Sequence, residues 1–188
     1  MNRTPSPNPV FDVVVGDITK FPADVLVNSA HESLAPGGGV SGAIHRAAGP
    51  GLARDCAAIV AERGWLEAGE AAITAAYDLP AKFVVHAVAP RYTDLGSGAH
   101  KPLSMAYLRS IELAIEAGAK TIVFPSLGTG IFGFPIDRAP VYALDGLNAA
   151  YREGSTLERV TICCFSEEDA LNYRYTLLNQ NDMFGGTQ

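Results

Sequence analysis

The chain has 188 residues, 48% of them hydrophobic, and a formal net charge of −6 at pH 7. This length and hydrophobic content predict one domain with a well-formed core. The negative charge argues against broad binding to nucleic acid, and no apolar run is long enough to span a bilayer. We expect the domain to occupy residues 10–178, with flexible tails over residues 1–9 and 179–188.

The three cysteines, Cys56, Cys163 and Cys164, are too few and too irregularly spaced for a disulfide framework or a zinc site. We interpret them as small apolar residues of a protein in the reducing cytoplasm. The sequence predicts neither a metal nor a cofactor.

The first predicted strand, Val10–Val15, ends at Gly16 and is followed at once by Asp17. A carboxylate in this position could cap the next turn. Alternatively, it could accept a hydrogen bond from an amine of a ligand.

Three consecutive glycines, Gly37, Gly38 and Gly39, follow the second predicted strand, residues 24–28. We call residues 37–39 the first glycine loop, because glycines in series pack no side chains and set the shape of a loop. The apolar spacing from residue 40 to residue 48 then predicts a helix. Free N–H groups at the start of that helix favour a phosphate or another anion. The alternative is a tight connection that binds no ligand.

The middle of the chain alternates helical and extended patterns. We predict a helix over residues 52–62, strands over 71–76 and 82–88, a mobile loop over 90–102 and a helix over 103–117. His86 lies within the second of these strands, and we interpret it as a core histidine rather than as a metal ligand or base.

A second glycine-rich segment follows the apolar strand Thr121–Phe124, and we call residues 128–133 the second glycine loop. A helix is predicted from residue 136 to residue 151. A last strand over residues 159–165 leads to Ser166, which we expect to cap a closing helix that ends near residue 178.

Strands that alternate with helices predict an α/β fold, with a mixed, mostly parallel sheet covered by helices on both faces. Ligands of such sheets bind beyond the carboxyl ends of the strands, where Asp17, both glycine loops and Phe165 should gather. A nucleotide diphosphate fits this set, with Asn28 available for a ribose. No Gly-Lys-Ser/Thr phosphate loop is present.

The chain resembles the macro domain, a module that binds ADP-ribose. The resemblance covers nearly the whole chain and rests on seven motifs in the family's order, at residues 16–19, 27–28, 37–40, 43–49, 79–82, 85–86 and 125–135. It implies a three-layer α/β/α sandwich around a six-stranded sheet.

The resemblance also implies the roles of individual residues. Asp17 would accept from the adenine amine beside the Ile18 N–H, Phe165 would stack on the adenine, and Phe132 would pack beneath the distal ribose. The second glycine loop would wrap the diphosphate. The full implied binding set is Asp17, Ile18, Asn28, Gly37, Gly38, Gly39, Val40, Ser126, Gly128, Thr129, Gly130, Ile131, Phe132 and Phe165.

The implied catalytic set is Asn28, His31, Gly39 and Ser41. Enzymes of this family typically carry asparagine at the position of His31 and aspartate at the position of Ser41. Serine cannot act as a carboxylate base, so water would be oriented by His31 or by the diphosphate of the substrate. Loss of a positioned base costs about 10²–10⁴-fold in rate, which leaves room for partial activity. The alternatives are a solvent-exposed loop histidine and a first-turn helix hydroxyl.

The resemblance implies a monomeric hydrolase that removes ADP-ribose from acidic side chains of proteins or acts on O-acetyl-ADP-ribose. A reader that binds ADP-ribose without cleaving anything is the alternative. A weaker alternative is a phosphatase that acts on ADP-ribose 1″-phosphate and uses His31. We favour the hydrolase because the first glycine loop, Asn28 and Phe132 remain intact.

Overall fold

The computed structural model describes residues 9–150 and 155–184. The strands are β1 (Val10–Val15), β2 (Val25–Ala30), β3 (Ala71–Ala75), β4 (Phe83–Val88), β5 (Thr121–Phe124) and β6 (Arg159–Cys164). The helices are α1 (Gly39–Ala48), α2 (Pro50–Arg63), α3 (Tyr92–Leu95), α4 (His100–Glu116), α5 (Ala139–Ala150) and α6 (Glu167–Phe184). Short 3₁₀ turns cover Ile18–Lys20 and Gly96–Ala99.

The strands form a six-stranded sheet in the order β1-β6-β5-β2-β4-β3. All neighbouring strands are parallel except β3 and β4. The segment between β3 and β4 is too short for a crossover helix, so these two strands pair as an antiparallel hairpin. The predicted mixed sheet is confirmed.

The central strands are covered on both faces. Val25 and Val27 of β2 pack with residues of α4, α5 and α6, whereas Leu26 between them packs with Ile44 of α1 and Leu52 of α2. Alternate residues of a strand point to opposite faces, so the sheet lies between two helical layers. The predicted three-layer α/β/α sandwich is confirmed.

The prediction of a mobile loop over residues 90–102 is wrong. This segment forms α3, a 3₁₀ turn and the first residues of α4. Its Gly96 and Gly98 indicated a loop, yet Gly96 only ends α3 with a positive φ of 51°. Pro102 is tolerated because it lies in the first turn of α4, where its missing N–H has no helical partner.

Several boundaries also differ from the prediction. Strand β2 continues to Ala30, α5 begins at Ala139 rather than at residue 136, and α6 continues to Phe184 rather than ending near residue 178. Part of the tail predicted over residues 179–188 is therefore helical. The predicted end of α5 at residue 151, the first eight residues and the last four lie outside the described residues. Within the described part, no helix combines the length and apolar character needed to cross a membrane.

Candidate functional site

A cavity of about 380 Å³ opens between the two glycine loops, beyond the carboxyl ends of β2, β4 and β5. Of the residues predicted to bind or react with a ligand, ten line it: His31, Gly37, Gly38, Gly39, Val40, Ser41, Gly128, Gly130, Ile131 and Phe132. Ser29, Ser33, Ala35, Pro36 and Arg91 also line it, and none of them was among the predicted site residues. The two loops thus enclose one space.

The first glycine loop runs directly into α1. Gly38 is the N-cap of this helix and has no side-chain cap, so the first N–H groups of α1 are left for another acceptor. Gly39 has a positive φ of 57°, which favours glycine. The helix dipole adds a partial positive charge at the same point. This end of the cavity is therefore built for an anion.

The second glycine loop is closed by two backbone hydrogen bonds. The Phe134 N–H donates to the Gly128 carbonyl at 2.9 Å, and the Gly133 N–H donates to the Gly130 carbonyl at 3.0 Å. Gly128 and Gly133 both have positive φ, at 77° and 68°. A side chain at either position would strain this backbone.

Buried hydroxyls hold the segment just before the second glycine loop. The Leu127 N–H donates to Tyr107 Oη of α4 at 3.1 Å, and this Oη lies 3.0 Å from Tyr173 Oη of α6. Tyr173 Oη also lies 3.0 Å from Ser126 Oγ. Burial raises the pKa of Tyr173 to about 12, so its hydroxyl keeps its proton. Two helices therefore fix the start of the loop through hydroxyl groups.

Arg91 is a site residue that the sequence analysis missed. Its guanidinium lies 4.8 Å from the centre of the Phe132 ring, and both residues line the cavity. The next residue, Tyr92, donates its N–H to the Phe132 carbonyl at 2.9 Å, which ties the two segments together. Arg91 follows β4, a strand parallel to β2, so the strand-end rule could have placed it at this edge.

A chain of buried hydrogen bonds ends at the cavity wall. Thr74 Oγ1 donates to the Ala75 carbonyl at 3.1 Å, so it accepts from His86 Nε2 at 3.0 Å. His86 Nδ1 is then unprotonated and accepts from Asn28 Nδ2 at 3.2 Å. Burial, with a smaller contribution from His45, lowers the pKa of His86 to about 3, so the ring stays neutral. His86 is a buried, hydrogen-bonded core histidine, as the sequence predicted.

Asn28 contacts Ser41 at the cavity wall. The Asn28 side chain is fully buried and does not itself line the cavity, and its contact with a ribose remains a prediction. Its Nδ2 also donates to Ser41 Oγ at 3.5 Å. Because Ser41 accepts on the protein side, its own proton is free to point towards the cavity.

His45, Cys56 and His86 form a buried group whose ligand-type atoms lie within 4.8 Å of one another. Both nitrogens of His86 are already engaged, by Asn28 and Thr74, so the ring offers no free lone pair to a metal. Burial raises the pKa of Cys56 to about 12, so this thiol is neutral. The arrangement is that of a packed polar core, and we assign no metal to it.

His31 also lines the cavity and is held by its own turn. Its Nδ1 accepts from the Ser33 N–H at 3.1 Å and lies 2.9 Å from Ser33 Oγ. The edge of its ring packs against Trp65, with ring centres 6.0 Å apart. Both features fix the orientation of the imidazole.

Asp17 and Phe165 follow the ends of the neighbouring strands β1 and β6 and are not among the residues that line the cavity. Asp17 Oδ1 accepts from the Thr19 N–H and from Thr19 Oγ1. Asp17 therefore caps the following turn, which is one of the two roles predicted for it. These hydrogen bonds hold the pKa of Asp17 below its usual value. Phe165 is 93% exposed, and its contact with an adenine remains a prediction, as do the roles of Ile18, Ser126 and Thr129.

The ionisable side chains that line the cavity are His31 and Arg91, and its lining in the described part of the chain includes no carboxylate. Ser41 and the uncapped N–H groups at the start of α1 add hydrogen-bond donors to this cavity. Fold and cavity together define an α/β domain with a cavity beyond the strand ends that offers backbone N–H groups to an anion.

Comparison with known proteins agrees with this class. The family model described as Macro domain matches residues 27–143, and the chain belongs to the macro domain family. It is 44% identical to O-acetyl-ADP-ribose deacetylase 2 of Pantoea vagans over 161 residues, which are 86% of this chain and 92% of that protein. It is 42% identical to O-acetyl-ADP-ribose deacetylase of Enterobacter sp. over 172 residues, covering 92% and 96% of the two chains.

Solved structures show the same fold. The Oceanobacillus iheyensis macrodomain with ADP matches with a TM-score of 0.87 and 34% identity, covering 97% of each chain. The Trypanosoma brucei macrodomain in complex with ADP-ribose matches with a TM-score of 0.79 and 32% identity, covering 89% of this chain and 68% of that one. The family resemblance read from the sequence is confirmed.

Proposed function

We propose that the chain binds ADP-ribose in the cavity between the glycine loops and hydrolyses the ester of O-acetyl-ADP-ribose. The observation that carries the proposal is the meeting of both glycine loops around one donor-lined cavity. The names of the relatives support the same ligand and the same ester. Esters of ADP-ribose with acidic side chains of proteins contain the same kind of carboxylic ester bond, so we include them as substrates.

The fit can be described from one end of the ligand to the other. The adenine would lie near Asp17 and Phe165, and the diphosphate would accept from backbone N–H groups of the second glycine loop and of α1. The distal ribose would pack against Phe132. Its acyl group would then face His31 and Ser41. We also propose that the chain is a monomer and that it functions in the cytoplasm.

The groups that line the cavity are better suited to stabilise an oxyanion on the substrate than to remove a proton from the attacking water. Water adds to the acyl carbon, the bond from that carbon to the ribose oxygen breaks, and a proton from the water ends on the ribose oxygen. Donors aimed at the carbonyl oxygen stabilise the charge that develops there. A positioned carboxylate is missing at Ser41, so we expect slow turnover.

The direct test incubates the purified chain with O-acetyl-ADP-ribose and follows acetate release, with ADP-ribose affinity measured by calorimetry. We expect both binding and release. Binding without release from this ester or from an ADP-ribosylated acceptor would leave the reader, and release of phosphate from ADP-ribose 1″-phosphate would favour the phosphatase. Absence of ADP-ribose binding would overturn the proposal.

The variant Ser41→Asp sharpens this test. A carboxylate at this position could accept from Asn28 Nδ2 and would lie in the first turn of α1, where negative charge is favoured. We expect acetate release to become about 10- to 100-fold faster, since a positioned base is worth about 10²–10⁴-fold. Ser41→Asn, which matches the size without the charge, is the control. Equal rates in the two variants would show that a missing carboxylate does not limit this enzyme.

A further inference from the structure

We infer that His31 acts on the bound ester as a hydrogen-bond donor through Nε2–H, and not as a base. The inference rests on the proposed function and names the part that this residue plays in it. It follows from the turn that holds the ring.

The turn fixes which nitrogen carries the proton. A backbone N–H can only donate, so the hydrogen bond from the Ser33 N–H at 3.1 Å requires a lone pair on His31 Nδ1. Ser33 Oγ accepts from the Ala35 N–H at 3.4 Å, and its own proton can point to the same Nδ1. A neutral imidazole holds one proton, which must then lie on Nε2. Nε2 is therefore a donor and has no lone pair with which to take a proton from water.

The ring is also held in place along the cavity wall. The Leu34 N–H donates to the His31 carbonyl at 2.8 Å, which closes the turn. The Leu66 N–H donates to the Glu32 carbonyl at 3.0 Å, and this bond keeps Trp65 against the imidazole edge. Nδ1 faces the turn, and Nε2 has no partner among the described residues. Nε2 is thus the nitrogen left for a ligand.

The same turn explains how histidine can stand where the resemblance to the family implies an asparagine. An asparagine here would accept from the N–H two residues on with its side-chain oxygen, as in an Asx turn. Its amide NH₂ would then be presented to the cavity. His31 reproduces this polarity, with Nδ1 in place of the oxygen and Nε2–H in place of the amide hydrogen. Its proton is neither gained nor lost in the reaction.

The test compares three proteins: the native chain, His31→Asn and His31→Leu. Asparagine keeps the donor, whereas leucine has a similar size and donates nothing. We expect His31→Leu to lower kcat for acetate release by about 10²-fold, as for loss of one oxyanion donor. His31→Asn should be at least tenfold faster than His31→Leu. ADP-ribose affinity, measured by calorimetry, should stay within about threefold in both, which also shows that the variants fold.

The outcomes are distinguishable. If the native chain is active and His31→Asn is as slow as His31→Leu, the donor role is overturned. Asparagine keeps a hydrogen-bond donor but cannot act as a base, so this result would mean that His31 acts as a base. An active native chain with His31→Leu at full rate would overturn the donor role too. A native chain that binds ADP-ribose and releases no acetate would overturn the proposed hydrolysis, and the donor role with it.

Discussion

At the scale of single residues, hydrogen-bond polarity decides what the cavity can do. Ser41 accepts from Asn28 and His31 accepts from Ser33, so both are left with protons to offer to a ligand. The sequence identified His31 and Ser41 because they depart from a family pattern. It could not show the polarity of Ser41, since that depends through Asn28 on His86 and Thr74 from distant strands. It missed Arg91 because no motif surrounds that residue.

Asp17 offers a prediction at the same scale. If Asp17 Oδ2, which lies 3.4 Å from Lys20 Nζ, also accepts from the adenine amine, Asp17→Asn should weaken ADP-ribose binding by about 1–3 kcal/mol, as for a charged hydrogen bond. Asparagine keeps the side-chain oxygen that caps the turn at Thr19, so the fold should be preserved. Calorimetry with ADP-ribose provides the measurement.

The matched ligand control is the hypoxanthine analogue of ADP-ribose, which has no exocyclic amine. Because its 6-oxo group accepts a hydrogen bond, this analogue should bind Asp17→Asn at least as tightly as it binds the native chain. An equal loss with both ligands would mean that Asp17 does not contact the amine. No loss with either would place the adenine elsewhere.

At the scale of elements, the close approach of the first glycine loop to α1 shapes the anion site. A Cβ at Gly42 would collide with the carbonyl oxygen of Gly37. We therefore expect Gly42→Ala to displace the loop and to weaken ADP-ribose binding at least tenfold, because the N–H groups of α1 would be misaligned. Calorimetry measures the effect.

Gly98→Ala is the control for this change. Gly98 lies in the 3₁₀ turn before α4, its φ is not positive, and a Cβ there would be 3.9 Å from that of Leu95. We expect native affinity in this variant. A Gly42→Ala protein that binds as tightly as Gly98→Ala would show that the loop adjusts freely.

Elements with strong local signals were predicted well, and the reason is physical. β-Branched runs and glycine series impose their conformations locally, as in β1 and both glycine loops. The segment from Tyr92 to Ala99 has weak local preferences, and its helical turns depend on contacts such as that of Tyr92 with Phe134. Tertiary contacts also decide where α5 and α6 begin and end.

At the scale of the whole molecule, the buried histidines predict how stability depends on pH. His86 has a pKa of about 3 in the folded chain, against an ordinary value near 6.5 when unfolded. The unfolded state therefore binds the proton more readily, and stability is full above pH 6.5 and is lost as the pH falls towards 3. Burial lowers the pKa of His45 in the same direction. We expect the free energy of unfolding to fall by about 2 kcal/mol or more from pH 7 to pH 5.

Urea denaturation at the two pH values measures this fall. The pKa values of Asp17 and Asp24 are lowered in the folded chain. The interval from pH 7 to pH 5 lies above the range in which these two carboxyl groups contribute to the pH dependence of stability. The variant His86→Gln should show a smaller fall. Equal stability of the native chain at pH 7 and pH 5 would contradict the assignment.

The hydroxyl of Tyr173 has a consequence for the order in which the site matures during synthesis. A nascent chain that has emerged only as far as β6 contains both glycine loops, yet it lacks the α6 hydroxyl that contacts Ser126 and Tyr107. Affinity for a nucleotide should therefore reach its final value only after α6 has docked. Ligand capture by ribosome-bound chains of increasing length would report the completion of folding.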